Sequence, residues 1–303
     1  MSLRFDATVD RRLVHKVAVE NVFVTDAAAA QGSWQAAVQL PQLHRLYNDL
    51  AESRHDLLLV AEAARQGIAV IAHQLLGVPL GSRFVITEMR IEAKDDDALA
   101  LSVREMIIEF RTERERRRRD GALRGFSGEA RCMVAGKHAA SFSGTALFLP
   151  AETYAAARAT EPAPAEVGDR AEREHPACVG RHEPGNVMIS PVTPGAEGGH
   201  QALVVVDRDH PVFFDHPQDH LPGMLLLEAG RQLAVAHAAL ESGRPGSAFR
   251  AVSCAAAFAD FADLGPPVRL TALGPPSQVT VRVWQRDQEL AVLDIELRNG
   301  RPS

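Results

Sequence analysis

Glu62-Ala63-Ala64-Arg65-Gln66 and Glu228-Ala229-Gly230-Arg231-Gln232 are one phrase written twice, 166 residues apart. Internal repetition decides architecture, so it is read before anything else. Three further anchors hold the register. Asn21-Val-Phe-Val-Thr25 returns as Asn186-Val-Met-Ile-Ser190 at an offset of 165, Trp34-Gln35-Ala36 as His200-Gln201-Ala202 at 166, and Arg83-Phe-Val-Ile86 as Arg250-Ala-Val-Ser253 at 167. Each match alone is weak. Four in register across most of both halves indicate two copies of one unit fused head to tail.

The repeated phrase sits in a helix that is apolar nearly all round. In the second copy Met224, Leu225, Leu226, Leu227, Ala229, Leu233, Ala234 and Val235 leave almost no polar face, so the helix must be buried on most sides. Each copy is expected to begin with a short strand (Val17–Thr25; Asn186–Ser190) and a second extended segment (Gln35–Leu40; Gln201–Val206). The helix follows, about Asp56–Leu76 and Gly223–Glu241. Alternation and Gly/Pro punctuation then predict strands at Phe84–Ala93, Leu99–Phe110, Leu123–Val134 and His138–Leu149. Their counterparts are Phe249–Phe261, Val268–Leu273, Gln278–Gln285 and Glu289–Leu297. A buried helix followed by antiparallel strands suits an α+β fold in which a sheet wraps the helix, the hotdog arrangement, here in tandem. The competing architecture is an α+β sandwich with the helix on one open face.

Composition bounds the rest. The 303 residues carry 46% hydrophobic and 24% charged side chains, a balance that suits a soluble globular protein with a full core. A net charge of −6 offers no global field for nucleic acid. Residues 1–10 contain charges and no apolar run, and nothing is long enough to span a membrane. Cys132, Cys178 and Cys254 are odd in number and form no Cys-x-x-Cys pair, as expected of reduced thiols in the cytoplasm. Pro150 to Pro176 is rich in proline and charge and poor in apolar residues, which reads as a linker. The expected division is therefore 1–150, a linker at 151–175, and 176–303. Whether the fused pair stands as a monomer or forms a homodimer is open.

The densest chemistry lies between Asp209 and Gln232. Pro222-Gly223 opens the helix, where backbone amides lack intrahelical partners and a glycine lets a ligand oxygen approach. Such a position suits a thioester carbonyl, and one oxyanion donor contributes roughly 3–4 kcal/mol in acyl transfer. Glu228 lies inside an apolar helix, where burial is expected to raise its pKa toward a useful acid/base range. Arg231 and Gln232 share its face. In the first copy Glu62 and Arg65 are as readily a structural pair as a functional one; in the second the His- and Pro-Gly-rich lead-in tips Glu228 and Arg231 toward function. His200, His210, His216 and His220 cluster in sequence without His-x-x-x-His or Glu-x-x-His spacing, so no metal site is expected. His216 and His220 stand as general base or solvated side chains. No cofactor is called for. Arg114-Glu-Arg-Arg-Arg-Arg119 reads as a solvated hairpin tip or, more sharply, as a docking patch for an acidic carrier protein.

The run Pro211-Val-Phe-Phe-Asp-His-Pro217 to Leu221-Pro-Gly223 and Glu228-Ala-Gly-Arg-Gln232 resembles the motif of β-hydroxyacyl-carrier-protein dehydratases, with three residues fewer between Phe214 and Pro222. It is more similar still to the A-factor biosynthesis hotdog family, the γ-butyrolactone autoregulator synthases. That resemblance rests on Val14-His15-Lys16, Val24-Thr25-Asp26 and the whole run Asp209 to Gln232, and spans about residues 13 to 298. It implies a double hotdog that moves a β-ketoacyl group from acyl carrier protein to a hydroxyl of dihydroxyacetone phosphate, on the way to a signalling butyrolactone, butenolide or furan. It places the functional acid and base at Glu62, Glu228 and Arg231, with Glu228 as general base and Arg231 as phosphate or carbonyl ligand. Arg65, Gly223, Gln232 and His220 would line the substrate site, with His216 beside the reacting groups. The alternatives are a dehydratase or thioesterase using the same pocket, or a non-catalytic module that binds an acyl ligand.

Overall fold

The computed structural model describes residues 3–50, 53–102, 105–158 and 172–299. The chain divides into two compact units, Met1–Leu43 with Arg54–Glu161, and His44–Ser53 with Pro162–Ser303. The segment His44–Ser53 thus belongs with the second unit although it lies within the first half of the sequence.

In the first unit, β1 (Val24–Ala30) and β2 (Ser33–Gln39) lead to the helix α1 (Leu57–Gln74). β3 (Arg83–Ala93), β4 (Glu105–Arg117), β5 (Leu123–Val134) and β6 (Lys137–Leu149) follow, and the short helix α2 (Ala151–Ala157) closes the unit. The strands form an antiparallel sheet in the order β1-β2-β4-β5-β6-β3. The second unit repeats this with β7 (Thr193–Pro194), β8 (His200–Leu203), α3 (Gly223–Ser242), β9 (Phe249–Phe258), β10 (Arg269–Leu273), β11 (Gln278–Gln285) and β12 (Gln288–Asn299). Their order is β7-β8-β10-β11-β12-β9, the same permutation strand for strand.

Asp56 caps α1 by accepting from the amide of Leu58 at 2.8 Å. Fifteen of the 18 residues of α1 and 14 of the 20 of α3 are buried, far more than one apolar stripe would account for. α1 touches β1, β2, β3, β4 and β6, and α3 touches β8, β9, β10, β11 and β12. A helix resting on an open sheet would meet only the central strands, so each unit is a sheet curled round its helix. The alternation read in β11 is realised, with Val279, Val281 and Val283 fully buried. This is a tandem α+β hotdog.

Three local expectations are corrected. The first strands are not Val17–Thr25 and Asn186–Ser190: Val19–Asn21 and Pro184–Asn186 are single 3-10 turns, and β1 begins at Val24. The reason is a side-chain amide. Gln66 donates to Asn21 O and accepts from Phe23 N, both at 2.8 Å, and Gln232 treats Asn186 O and Met188 N likewise at 2.8 and 2.7 Å. Backbone groups that a sheet would use are held by the helix instead. Second, β4 starts at Glu105 and runs to Arg117, so most of the arginine run lies on a strand, and the turn follows at 118–122. Third, the linker begins with α2, whose Tyr154 is buried; residues 159–171 of it lie outside the described residues. No helix among the described residues is long and apolar enough to cross a membrane.

Candidate functional site

Glu228 stands on the second turn of α3 and is 1% exposed. Its Oε1 accepts from Arg181 Nε at 3.0 Å, Arg181 Nη2 at 2.5 Å and Gln232 Nε2 at 2.6 Å; its Oε2 accepts from Arg231 Nη2. Burial alone would raise the pKa of this carboxyl, but the charges of Arg181 and Arg231, with the hydrogen bonds of Gln232 and Arg181, hold it down at about 2. The expectation of a raised pKa is therefore reversed: Arg181 and Arg231 favour the carboxylate over the neutral acid. Arg181, itself 2% exposed, also donates to Leu46 O at 2.6 Å and Asp49 O at 3.3 Å. Asp49 in turn accepts from the amides of His182 and Glu183 and from Asn186 Nδ2. The network ties the segment His44–Ser53 to α3.

The first unit repeats the arrangement. Glu62 receives a two-pronged bond from Arg65, Nε to Oε2 and Nη2 to Oε1, both 2.7 Å, with Gln66 Nε2 at 3.0 Å and Lys16 Nζ at 3.4 Å. Burial opposes ionisation here too, and Arg65 and Lys16 overcome it, holding the carboxyl well below its usual range. Each cluster thus combines one carboxylate, two cations and one glutamine. The second cation is the residue that sequence reasoning missed. Lys16 shifted by 165 lands on Arg181, the offset already set by Asn21 and Asn186, but both cations stand outside the repeated helical phrase. Backbone confirms the match: His15 and Gly180, just before these cations, both adopt left-handed φ, 58° and 71°.

The loop before α3 holds the histidines apart. His216 Nδ1 lies 2.5 Å from Oδ1 of the buried Asp215 side chain, and Gln218 Nε2 lies 2.8 Å from its Nε2. A carboxylate only accepts, so Nδ1 carries the proton and Nε2 is the basic nitrogen, receiving the Gln218 amide. The ring is partly exposed, its side chain at 28%. His220 makes a similar pair with Asp219 at 2.7 Å and stands edge-on to Phe261. His210 is buried, stacks on Phe213, and accepts from the amides of Val212 and Phe213. Burial, with Arg45 and Arg173 nearby and Asp207 and Glu228 opposing, lowers its pKa to about 4. It serves as a neutral structural group. His200 leaves the cluster altogether and meets His237 on α3.

Gly223 is the first residue of α3, after Pro222, which offers no side-chain cap. The first helical hydrogen bonds come from Leu225 and Leu226 to Pro222 O, so the amides of Gly223 and Met224 precede them. A Cβ at Gly223 would meet only the Phe258 ring, at an ordinary 3.5 Å. Packing does not require glycine there.

The model of the A-factor biosynthesis hotdog domain matches residues 2–150 and 163–297 of the chain. The 2-oxo-3-(phosphooxy)propyl 3-oxoalkanoate synthase of Streptomyces virginiae is 28% identical over 268 residues, 88% of this chain and 87% of its own. The synthase of the same name from Streptomyces griseus is 29% identical over 288 residues, 89% of this chain and 88% of its own. Among solved structures, a 12:0-ACP thioesterase from Umbellularia californica superposes with a TM-score of 0.53 at 8% identity, covering 90% of this chain and 100% of its own. Dehydratases from type I polyketide synthases reach 0.53 at 12% identity, covering 90% and 97%. At such identities these structures speak to the fold alone.

Proposed function

Given that the chain belongs to the A-factor biosynthesis hotdog family, we propose that it is an acyltransferase that moves a β-ketoacyl group from an acyl carrier protein thioester to a hydroxyl of dihydroxyacetone phosphate. The observation that carries this is the near end-to-end match with relatives whose name describes that ester, a 3-oxoalkanoate of the 2-oxo-3-(phosphooxy)propyl group. The product would close to a butenolide phosphate, the precursor of a signalling lactone or furan, and the reaction would run in the cytoplasm.

The geometry supports a division of labour. The thioester carbonyl would lie at the start of α3, its oxygen facing the amides of Gly223 and Met224, where the helix dipole favours developing negative charge. His216, backed by Asp215, would take the proton of the attacking hydroxyl at Nε2 once that hydroxyl displaces the Gln218 amide from it. The new C–O bond forms as the C–S bond breaks, and the departing thiolate takes up the proton. Glu228 would act as an anion that fixes Arg231 and Arg181. One carboxylate between two guanidiniums leaves a net positive cluster, which favours the phosphate or the carbonyl oxygen. Gln232 would hold that carboxylate in place, and His220 would line the approach. Glu62 and Arg65 repeat the anchor in the first unit without a His- and Pro-Gly-rich lead-in. The exposed Arg114, Arg116 and Arg119 of the β4–β5 hairpin offer a surface to an acidic carrier protein.

Thiol release from a β-ketoacyl thioester, followed with and without dihydroxyacetone phosphate, tests this reading. The proposal expects release only with the acceptor, and a fall of about 100-fold or more in kcat for His216→Asn at unchanged helical content. Release that ignores the acceptor would make the chain a thioesterase.

A further inference from the structure

We propose that His200, His237 and Glu241 form a site for one divalent cation of the zinc class, distinct from the acyl-transfer site and independent of that reading. His237 and Glu241 stand one turn apart on α3, nine and 13 residues beyond Glu228, or about 14 and 20 Å along the helix axis. His200 comes from β8. The ligand atoms of the three side chains all lie within 4.8 Å of one another.

The arrangement is built from the backbone outward. His237 is 2% exposed, and its Nε2 lies 2.8 Å from Gly274 O. A carbonyl only accepts, so Nε2 carries the proton and the lone pair of Nδ1 points into the cluster. That is the orienting bond metal-ligating histidines make with their far nitrogen. Nδ1 of His237 faces Nδ1 of His200 at 2.9 Å, and Glu241 Oε1 lies 3.9 Å from the same His200 nitrogen. Bonds of about 2.0–2.2 Å in a tetrahedron put ligand atoms about 3.3 Å apart. To reach that spacing the two imidazole nitrogens must part by about 0.4 Å and the half-exposed Glu241 carboxylate must move in by about an ångström, and its exposure leaves the fourth position to water. On cation binding, His200 shifts its proton from Nδ1 to Nε2.

Two glycines fix the frame. Gly199, with φ at +65°, packs so tightly that a Cβ would sit 2.1 Å from Ala272 O, in the strand where Ala272 pairs with His200. Gly274, which supplies the carbonyl to His237, has φ at +117°, and a Cβ there would lie 2.5 Å from Gln278 O. Both positions exclude side chains, and both hold the ligand set in place. Two imidazoles and one carboxylate suit Zn²⁺, Co²⁺ or Ni²⁺ better than Mg²⁺ or Ca²⁺, which take all-oxygen sets. A bound ion would clamp β8 to the end of α3.

Calorimetric titration of chelator-stripped protein with Zn²⁺ alone, joined to thermal unfolding with and without it, provides the test. One saturable equivalent per chain and a raised Tm are expected in the wild type. His200→Asn and Glu241→Gln, chosen because neither is deeply buried, should each weaken binding by at least about 10-fold and abolish the rise in Tm. Either variant keeping wild-type affinity, or a wild type without saturable binding, would reduce the pair to an ordinary imidazole–imidazole hydrogen bond and overturn the proposal.

Discussion

Glu228 keeps its charge because burial and its partners pull in opposite directions and the partners win. A folded-state pKa of about 2 against an ordinary 4.5 means that its contribution to stability is complete above pH 4.5 and is lost as pH falls toward 2. His210 adds to this from higher up. Its pKa drops from 6.5 to about 4, so the neutral buried ring stabilises the fold above pH 6.5 and progressively less below it. Urea unfolding across pH 7 to 3 should therefore show stability falling in two stages, and a flat profile would contradict the assignment. Glu228→Gln should cost about 3–5 kcal/mol, because it strands two buried guanidiniums; full stability with lost turnover would instead restore Glu228 as a general base. The sequence displayed Glu228 and Arg231 three residues apart, which is why the pair was legible. The sign of the pKa shift was not, since it depends on Arg181, 47 residues upstream.

Each central helix acts as more than a hydrophobic rod, because one glutamine on it captures a peptide segment that would otherwise seek a strand. Gln232→Leu would leave Met188 N and Asn186 O buried without these bonds, at about 1–3 kcal/mol each, and the loss should appear in chemical denaturation. Unchanged stability would mean that the segment is held by packing alone. The long helices and the later strands were legible because periodicity and Gly/Pro punctuation agree there. The first strands are not legible, because Val17–Thr25 has strand composition and nothing in its spacing reveals that Gln66 occupies its hydrogen-bonding groups. The cation candidate is not legible in the sequence for a related reason: His237-x-x-x-Glu241 lies within one element, but His200 joins it only through the register of β8 against β10.

At the scale of the molecule, two units with identical strand order follow directly from the four anchors read at offsets of 165 to 167. That order is not itself legible, since pairing β2 with β4 and β3 with β6 joins strands that are not consecutive in sequence. The arginines of the β4–β5 hairpin give a prediction at this scale. Raising salt should increase KM for a carrier-bound β-ketoacyl group several-fold while leaving a small-thiol thioester nearly unaffected, because screening acts on an exposed protein–protein encounter. Equal salt effects on both donors would remove the hairpin from the account. The most direct measurement of the central claim is mass spectrometry of the product formed from a β-ketoacyl thioester and isotopically labelled dihydroxyacetone phosphate. A phosphorylated ester or its butenolide carrying the label is expected; free β-keto acid with the label left entirely in the triose phosphate would contradict acyl transfer to that acceptor.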